Sequence, residues 1–324
     1  AGVEVVGVVA AAVGAGAAGR NGGLLLAGLA DFHHRAAAAL GREVATGWYR
    51  DTLAEIERIA AETPQAVRRT GSLRIAADPA EERDCEVQLA TMQADGLHGE
   101  PYEGPEGRGL LFPADATVQP LLRCRTLARI TTAAGARLFE RSPAVELGPG
   151  HVRTPVGTVA CATVVVAVDG GLEKLLPELA GRVRTARAQM LATAPEPAVR
   201  IPRPVYFRWG WDYWQQLPDG RVALGGGRDV GGAAEWSAEA ATTPAVQAHL
   251  ERLLRERLGV TAPVTHRWAG AIAFTTDRMP VDEEVRPGVF ALGGYCGTGN
   301  VVGSLLARRL AGRIAGTRPP GWSP

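Results

Sequence analysis

Three stretches of the sequence hold residues whose types and spacing could do chemistry. The first, VGAGAAGRNGG (Val13–Gly23), contains Gly14, Gly16 and Gly19 as a literal G-x-G-x-x-G. Such a turn cradles a pyrophosphate when it follows a strand at once, opens a helix on its third glycine and precedes an acidic residue by about 20 positions. Here Ala10 to Val13 separate the expected strand EVVGVV (4–9) from Gly14, and RNGG follows the third glycine. Consecutive glycines start a helix poorly, and the position about 20 residues past Gly19 falls in AAAAL, which has no carboxylate. The literal match fails its context. The second stretch, GGYCGTGN (293–300), lies between an expected strand and an expected helix, where a glycine turn can aim a helix N-terminus at an anion. The third is the aromatic run with Tyr206, Trp209, Trp211, Tyr213 and Trp214. Aromatic residues in antiparallel strands are core or cross-strand pairs as readily as they are a pocket wall.

Other residue groups carry less. His33 and His34 follow Asp31 closely, but adjacent helical residues point to different sides and chelate poorly together, so no metal site is expected. There is no G-x-S-x-G elbow, and no Cys-His-Asp arrangement is readable from the sequence. No catalytic side chain can be named. Cys296 reads best as a small buried thiol.

The elements that must position these residues follow from periodicity. A helix is expected over 36–60, a strand over 71–77, a helix over 81–96, and a Gly/Pro-rich loop over 97–113. A helix from about Gln119 to Ala134 stops at Gly135, and a strand ARLFER follows. A hairpin is expected around Val156-Gly157, and the apolar run 163–168 reads as a central parallel strand. From 186 to 230 the pattern is antiparallel, with a Pro-Asp-Gly turn; a helix over 243–259 and a strand over 265–275 come next. A strand, a glycine turn and a helix close the chain.

Composition bounds the function classes. The 324 residues hold 35 Lys and Arg against 34 Asp and Glu, a formal net charge of +1, which leaves no electrostatic footprint for nucleic acid or an anionic membrane. No charge-free apolar run reaches about 18 residues, and no signal peptide is visible. Four scattered cysteines without a C-x-x-C pair point to a reduced, cytoplasmic setting.

The block AGVEVVGVVAAAVGAGAAGRNGG resembles the second-strand region of the FAD-dependent D-amino acid oxidase family, especially its amine-oxidising members. FPADATVQP, GARLFERSPAVEL, VVVAV, WQQLPDGRVALGGGRDVGG, HRWAGAIAFTTDRMP and GGYCGTGNVVG resemble the same family in order and spacing, so the likeness covers nearly the whole chain. It implies an α/β fold with a discontinuous FAD-binding, Rossmann-like domain (1–70, 114–185 and 275–320) and an antiparallel-sheet substrate domain (71–113 and 186–274). It implies non-covalent FAD, contacted by Gly19, Arg20, Asn21, Gly22, Gly23, Val145, Gly294, Gly297, Thr298, Gly299 and Asn300. Tyr213, Gln215 and Trp268 would face the substrate, a small-molecule amine oxidised to an imine with hydride transfer to flavin.

The sequence departs from the family pattern in four places. The family's first strand and glycine fingerprint, roughly 25 residues, would precede Ala1, so the first βα unit is expected to be absent. Val9 stands where an acidic residue accepts from the adenosine ribose, and Asp169 where Asn is common, which would put an anion near the dinucleotide. An arginine that clamps a carboxylate after WAG is replaced by Ala271, Ile272 and Ala273, making an amine without an α-carboxylate the more natural substrate. Arg228 and Arg278 are further candidates for a carboxylate or phosphate, each also readable as a surface residue. Two readings stay open, an FAD-dependent amine oxidase and a relative that has lost FAD and keeps the pocket for cofactor-free catalysis or binding. An edge exposed by a missing first strand would recruit a partner strand, which makes a homodimer the expectation.

Overall fold

In the computed structural model, which describes residues 3–148 and 150–316, the helix expected over 36–60 is two helices, His33–Leu40 and Arg42–Glu62. Gly41 divides them at φ +89°, a backbone that glycine adopts without a Cβ penalty. The helix expected over 81–96 is Pro79–Ala94. Asp78 caps it, accepting from the amides of Ala80 (2.8 Å) and Glu81 (3.0 Å), with Pro79 in the first turn. The segment 97–113, expected as loop, is largely a hairpin of Glu100–Gly104 and Gly107–Phe112. Its glycines hid it: Gly109 lies so close to the neighbouring strand that a Cβ there would sit 1.9 Å from the Arg74 carbonyl oxygen.

One unit of the chain is built from the segments up to Arg20, Pro120–Ala186 and the part from Ala271 onward. Its parallel pairs are Val6–Val8 with Arg137–Phe139, and Val164–Val166 with Val289–Gly293. Val281–Arg286 extends the second pair antiparallel. The core gathers Val164, Val166, Leu172, Leu176, Val183, Val281, Val289 and Ala291. The run 163–168 differs from the central strand expected. It is a strand only over Val164–Val166, pairs on one side alone among the described residues, and leaves Val165 43% exposed. An unbroken apolar run reads as two buried faces, whereas this strand packs one face.

The other unit holds Asn21–Gln119 and Arg187–Gly270. The segment 21–70, expected with the cofactor-type domain, is therefore counted with the sheet-bearing unit. Residues 1–2 and 317–320 of the expected boundaries lie outside the described residues. An eight-stranded sheet runs in the order Val264–Thr275, Val183–Pro195, Arg221–Gly226, Asp212–Gln216, Val205–Phe207, Ser72–Ile75, Gly107–Phe112 and Glu100–Gly104. Val205–Phe207 and Ser72–Ile75 are parallel, and the pairs flanking them are antiparallel. Leu73, Ile75, Val205, Phe207, Trp214, Val222 and Leu224 form a core with Val246 and Leu250 of the helix Pro244–Arg252. That helix continues as a π-turn, Leu253–Arg257. No described helix is long and apolar enough to cross a membrane.

Because the Asp78 carboxylate satisfies two otherwise unpaired amides, Asp78→Ala is expected to cost about 1 kcal/mol, readable as a lower midpoint in urea with an unchanged slope.

Candidate functional site

In the first unit the glycines of the G-x-G-x-x-G stretch serve a tight local turn. Val6–Val8 is followed by a four-residue helix, Ala17–Arg20, rather than the long helix a dinucleotide fingerprint opens. Gly14 takes φ +77°, and a Cβ on Gly19 would lie 2.1 Å from the Gly14 carbonyl oxygen. These two positions need glycine because the backbone folds onto itself. Val9 donates its amide to Phe139 O (2.9 Å), and its carbonyl accepts from Ser142 N (2.9 Å). Val145 is 50% exposed, with its amide given to Arg153 O (2.9 Å).

The turn Gly294–Asn300 leads into the helix Val302–Ile314. Gly294 has φ +63°, with Thr275 Cγ2 2.6 Å from its would-be Cβ. Gly297 has φ +95° and open space where a Cβ would stand. Thr298 donates its amide (2.9 Å) and its hydroxyl (2.7 Å) to Tyr295 O, and its carbonyl accepts from Val301 and Val302. The Asn300 carbonyl accepts from Ser304 Oγ at 2.8 Å. A Cβ on Gly299 would lie 3.0 Å from the Tyr295 ring. Cys296 is partly exposed rather than buried; it has φ +51° and packs its Sγ 3.4 Å from the Thr275 amide.

Asp169 anchors this turn. It has φ +51°, and its carboxylate accepts from the amides of Ala273 (3.1 Å), Tyr295 (3.2 Å) and Gly294. Burial raises its pKa to about 6, although these backbone donors pull the other way. The anion expected to face the dinucleotide is thus turned onto the protein's own backbone. Arg278 occupies a turn with φ +60°.

In the second unit Asn21 forms an Asx turn, its Oδ1 accepting from Gly23 N at 2.8 Å. Gly22 meets two of the three expected substrate residues, Gln215 and Tyr213. Its carbonyl accepts from Gln215 Nε2 at 2.6 Å, and its would-be Cβ lies 2.8 Å from the Tyr213 ring. Gln215 is buried, and its Oε1 accepts from Arg68 Nη2 at 3.2 Å. Both ends of its amide are engaged by the protein, which makes Gln215 a clamp on the glycine loop. Tyr213 stacks on Tyr206 with ring centroids 6.4 Å apart, and burial pushes its phenol pKa well above the ordinary value. Trp268 is half-buried in the strand Val264–Thr275. Arg228 stacks between Trp211 and Trp236, at 4.8 and 5.0 Å from the ring centroids. His33 is hydrogen-bonded to Asp95 at 2.7 Å.

Sequence reading missed a small pocket in this unit, with Asp31, Tyr49, Ser72, Arg74, Asp115 and Tyr206 in its wall. Asp115 is fully enclosed. Its Oδ2 accepts from Ser72 Oγ (2.6 Å) and its Oδ1 from Ala27 N (3.0 Å), while burial lifts its pKa to about 6. The available signal was alternation: in SLRI, Arg74 must face opposite to Leu73 and Ile75.

Two substitutions test these anchors. Asp169→Ala strands the amides of Ala273, Gly294 and Tyr295 and is expected to cost about 2–4 kcal/mol in a denaturation curve. Asp115 has a folded pKa raised from 3.8 to about 6. Its contribution to stability is complete below its unfolded pKa and is lost as pH rises through about 6, a difference of about 3 kcal/mol. Asp115→Asn keeps one acceptor for Ala27 N and a donor for Ser72 Oγ, so wild type minus variant stability should fall between pH 4 and pH 7.5. A flat difference would show that Asp115 does not titrate there.

Comparison with known proteins fits this geometry. The sequence matches the family DAO, "FAD dependent oxidoreductase", over residues 1–313. It is 31% identical over 212 residues to a probable oxidoreductase OrdL of Rhizobium meliloti, a match covering 60% of this chain and 47%, about half, of that protein's length. It is 27% identical to the gamma-glutamylputrescine oxidoreductase of Escherichia coli, covering 96% of this chain and 79% of the relative. Glycine oxidase from Geobacillus kaustophilus superposes with a TM-score of 0.79 at 16% identity, over 98% of this chain and 89% of that one, which shows a shared fold. The resemblance read from the glycine loops therefore holds, and the chain belongs to the DAO family of FAD dependent oxidoreductases, whose cofactor is FAD.

Proposed function

We propose that this chain, with FAD, oxidises the carbon beside the nitrogen of a small amine or amino acid to an imine, which water then hydrolyses. The family match supports the cofactor. Two similar proteins bear names for an amine, gamma-glutamylputrescine, and an amino acid, glycine. The observation that carries the reading is the Gly294–Asn300 turn. Gly297 has open space above it, and a helix of 13 residues follows, whose N-terminal dipole favours negative charge. These residues fit a cofactor that gains negative charge on reduction. We assign FAD to this turn and to the glycine loop at Gly22, and the substrate to the sheet that carries Tyr213.

When bound, FAD supplies the hydride acceptor. The chain's own residues hold and orient. Asp169 fixes the turn through three backbone amides, and Gln215 and Tyr213 fix Gly22. No side chain is assigned a proton transfer, so the rate enhancement is ascribed to orientation and to the field at the helix terminus.

The deciding measurement is an absorption spectrum of the purified protein with added FAD, before and after anaerobic addition of amines. A bound flavin band that bleaches with an amine is expected. A folded protein that ignores FAD would instead support the cofactor-free reading. Gly22→Ala drives a methyl group into the Tyr213 ring. It is expected to weaken FAD binding by about tenfold in a fluorescence titration while leaving the circular dichroism spectrum intact.

A further inference from the structure

Asp169 places a titratable group inside the turn assigned to FAD. Its Oδ2 accepts from Ala273 N at 3.1 Å and its Oδ1 from Tyr295 N at 3.2 Å, with Gly294 N as a further donor. A Cβ on Gly293 would lie 3.2 Å from the Asp169 Cα, so the start of the turn is pressed against it. In these contacts the carboxylate is met by amide dipoles, not by a cation. The facing strand segment Ala271–Thr275 carries no titratable side chain. The turn brings the Cys296 thiol and the Tyr295 phenol, whose pKa burial and the Asp169 charge both raise. The short helix Leu172–Leu175 brings exposed Lys174 and Glu173, which accepts from Thr185 Oγ1 at 2.9 Å. Burial first, and the Glu173 charge in part, lift the Asp169 pKa to about 6 against the pull of the amides.

An ionised Asp169 opposes what the turn is suited to hold. It consumes the N–H groups of Gly294 and Tyr295 and offsets the positive potential at the terminus of the helix Val302–Ile314. Gly297, with open space above it, is three residues from Gly294, at most about 11 Å of chain. Two unit charges about 10 Å apart, at an effective dielectric constant of about 20, repel by about tenfold in affinity. We propose that Asp169 makes FAD binding proton-coupled: the turn takes the anionic dinucleotide best when Asp169 is neutral, and binding draws a proton from solvent onto its carboxylate. This rests on the assignment of FAD to the turn. The pyrophosphate of FAD is fully ionised, and its rings uncharged, from weakly acidic to weakly alkaline pH, so the coupling belongs to the protein. Affinity is therefore highest below the Asp169 pKa and falls as pH rises through it.

The test is a fluorescence titration of the full chain with FAD from pH 5.5 to pH 8.5. The Kd is expected to rise about five- to tenfold across that range. Binding near pH 6.5 in weak buffer should take up roughly half a proton per FAD, read with an indicator dye. Asp169→Asn keeps an acceptor for the amides without the charge, and should give a flat Kd and no proton uptake. Glu173→Gln keeps the acceptor for Thr185, removes the repelling charge, and should move the midpoint to lower pH. A wild-type Kd that is flat, or that falls with rising pH, overturns the proposal whether or not a variant folds. So does an unchanged pH dependence in Asp169→Asn or an unmoved midpoint in Glu173→Gln. FAD bound with a flat Kd sinks the proton coupling alone, whereas no FAD binding at any pH sinks the assignment of FAD and the coupling with it.

Discussion

The register of three short strands decides where the chemistry can be. Tyr206 lies opposite Arg74 on one side and Tyr213 on the other, while Val205 lies opposite Leu73 and Trp214. Successive strand residues point to opposite faces, so one face collects Leu73, Val205 and Trp214 for the core, and the other collects Arg74, Tyr206, Tyr213 and Gln215. A slip of one residue would send Arg74 into the apolar core and Leu73 into the cavity. The core side enforces the register, since each buried large side chain there is worth about 1.5–3 kcal/mol in hydrophobic transfer. The polar face is thus held in place by the packing behind it.

Two buried carboxylates, Glu235 and Asp212, are fully engaged. Glu235 accepts from Arg187 Nε and Nη2 (3.0 Å each), Gln189 Nε2 (2.8 Å) and Thr243 Oγ1 (3.0 Å). Asp212 meets His249 and Arg208. Such pairs rarely add net stability, because desolvation offsets the Coulomb gain, but a missing partner would be severe. Against that background the Arg74 Nε, buried without a hydrogen-bond partner among the described residues, is an exception.

Much of this was legible from residue order. The two glycine loops carried the family resemblance, and the failure of Gly14, Gly16 and Gly19 as a primary fingerprint followed from the spacing of strand and RNGG. The hairpin over 100–112 was not legible, because Gly104, Gly107 and Gly109 read as loop, whereas Gly109 serves the close approach of the neighbouring strand. Neither the inward turn of Asp169 nor the engagement of Gln215 could be read, since each depends on partners about 100 to 200 residues away whose placement only the folded sheet supplies. Arg74 was hidden for a simpler reason. A single cation in a four-residue strand matches an edge or surface position unless its neighbours across the sheet are known.

The Gly22 carbonyl is tied to Gln215, and Gln215 in turn to Arg68. A glycine-rich segment loses more backbone freedom on ordering than any other, and a loose loop would charge that loss to each binding event. Here the loss is taken once, when the sheet forms. The loop is fastened to the sheet by these hydrogen bonds, so strand pairing would set part of the affinity for whatever the loop holds.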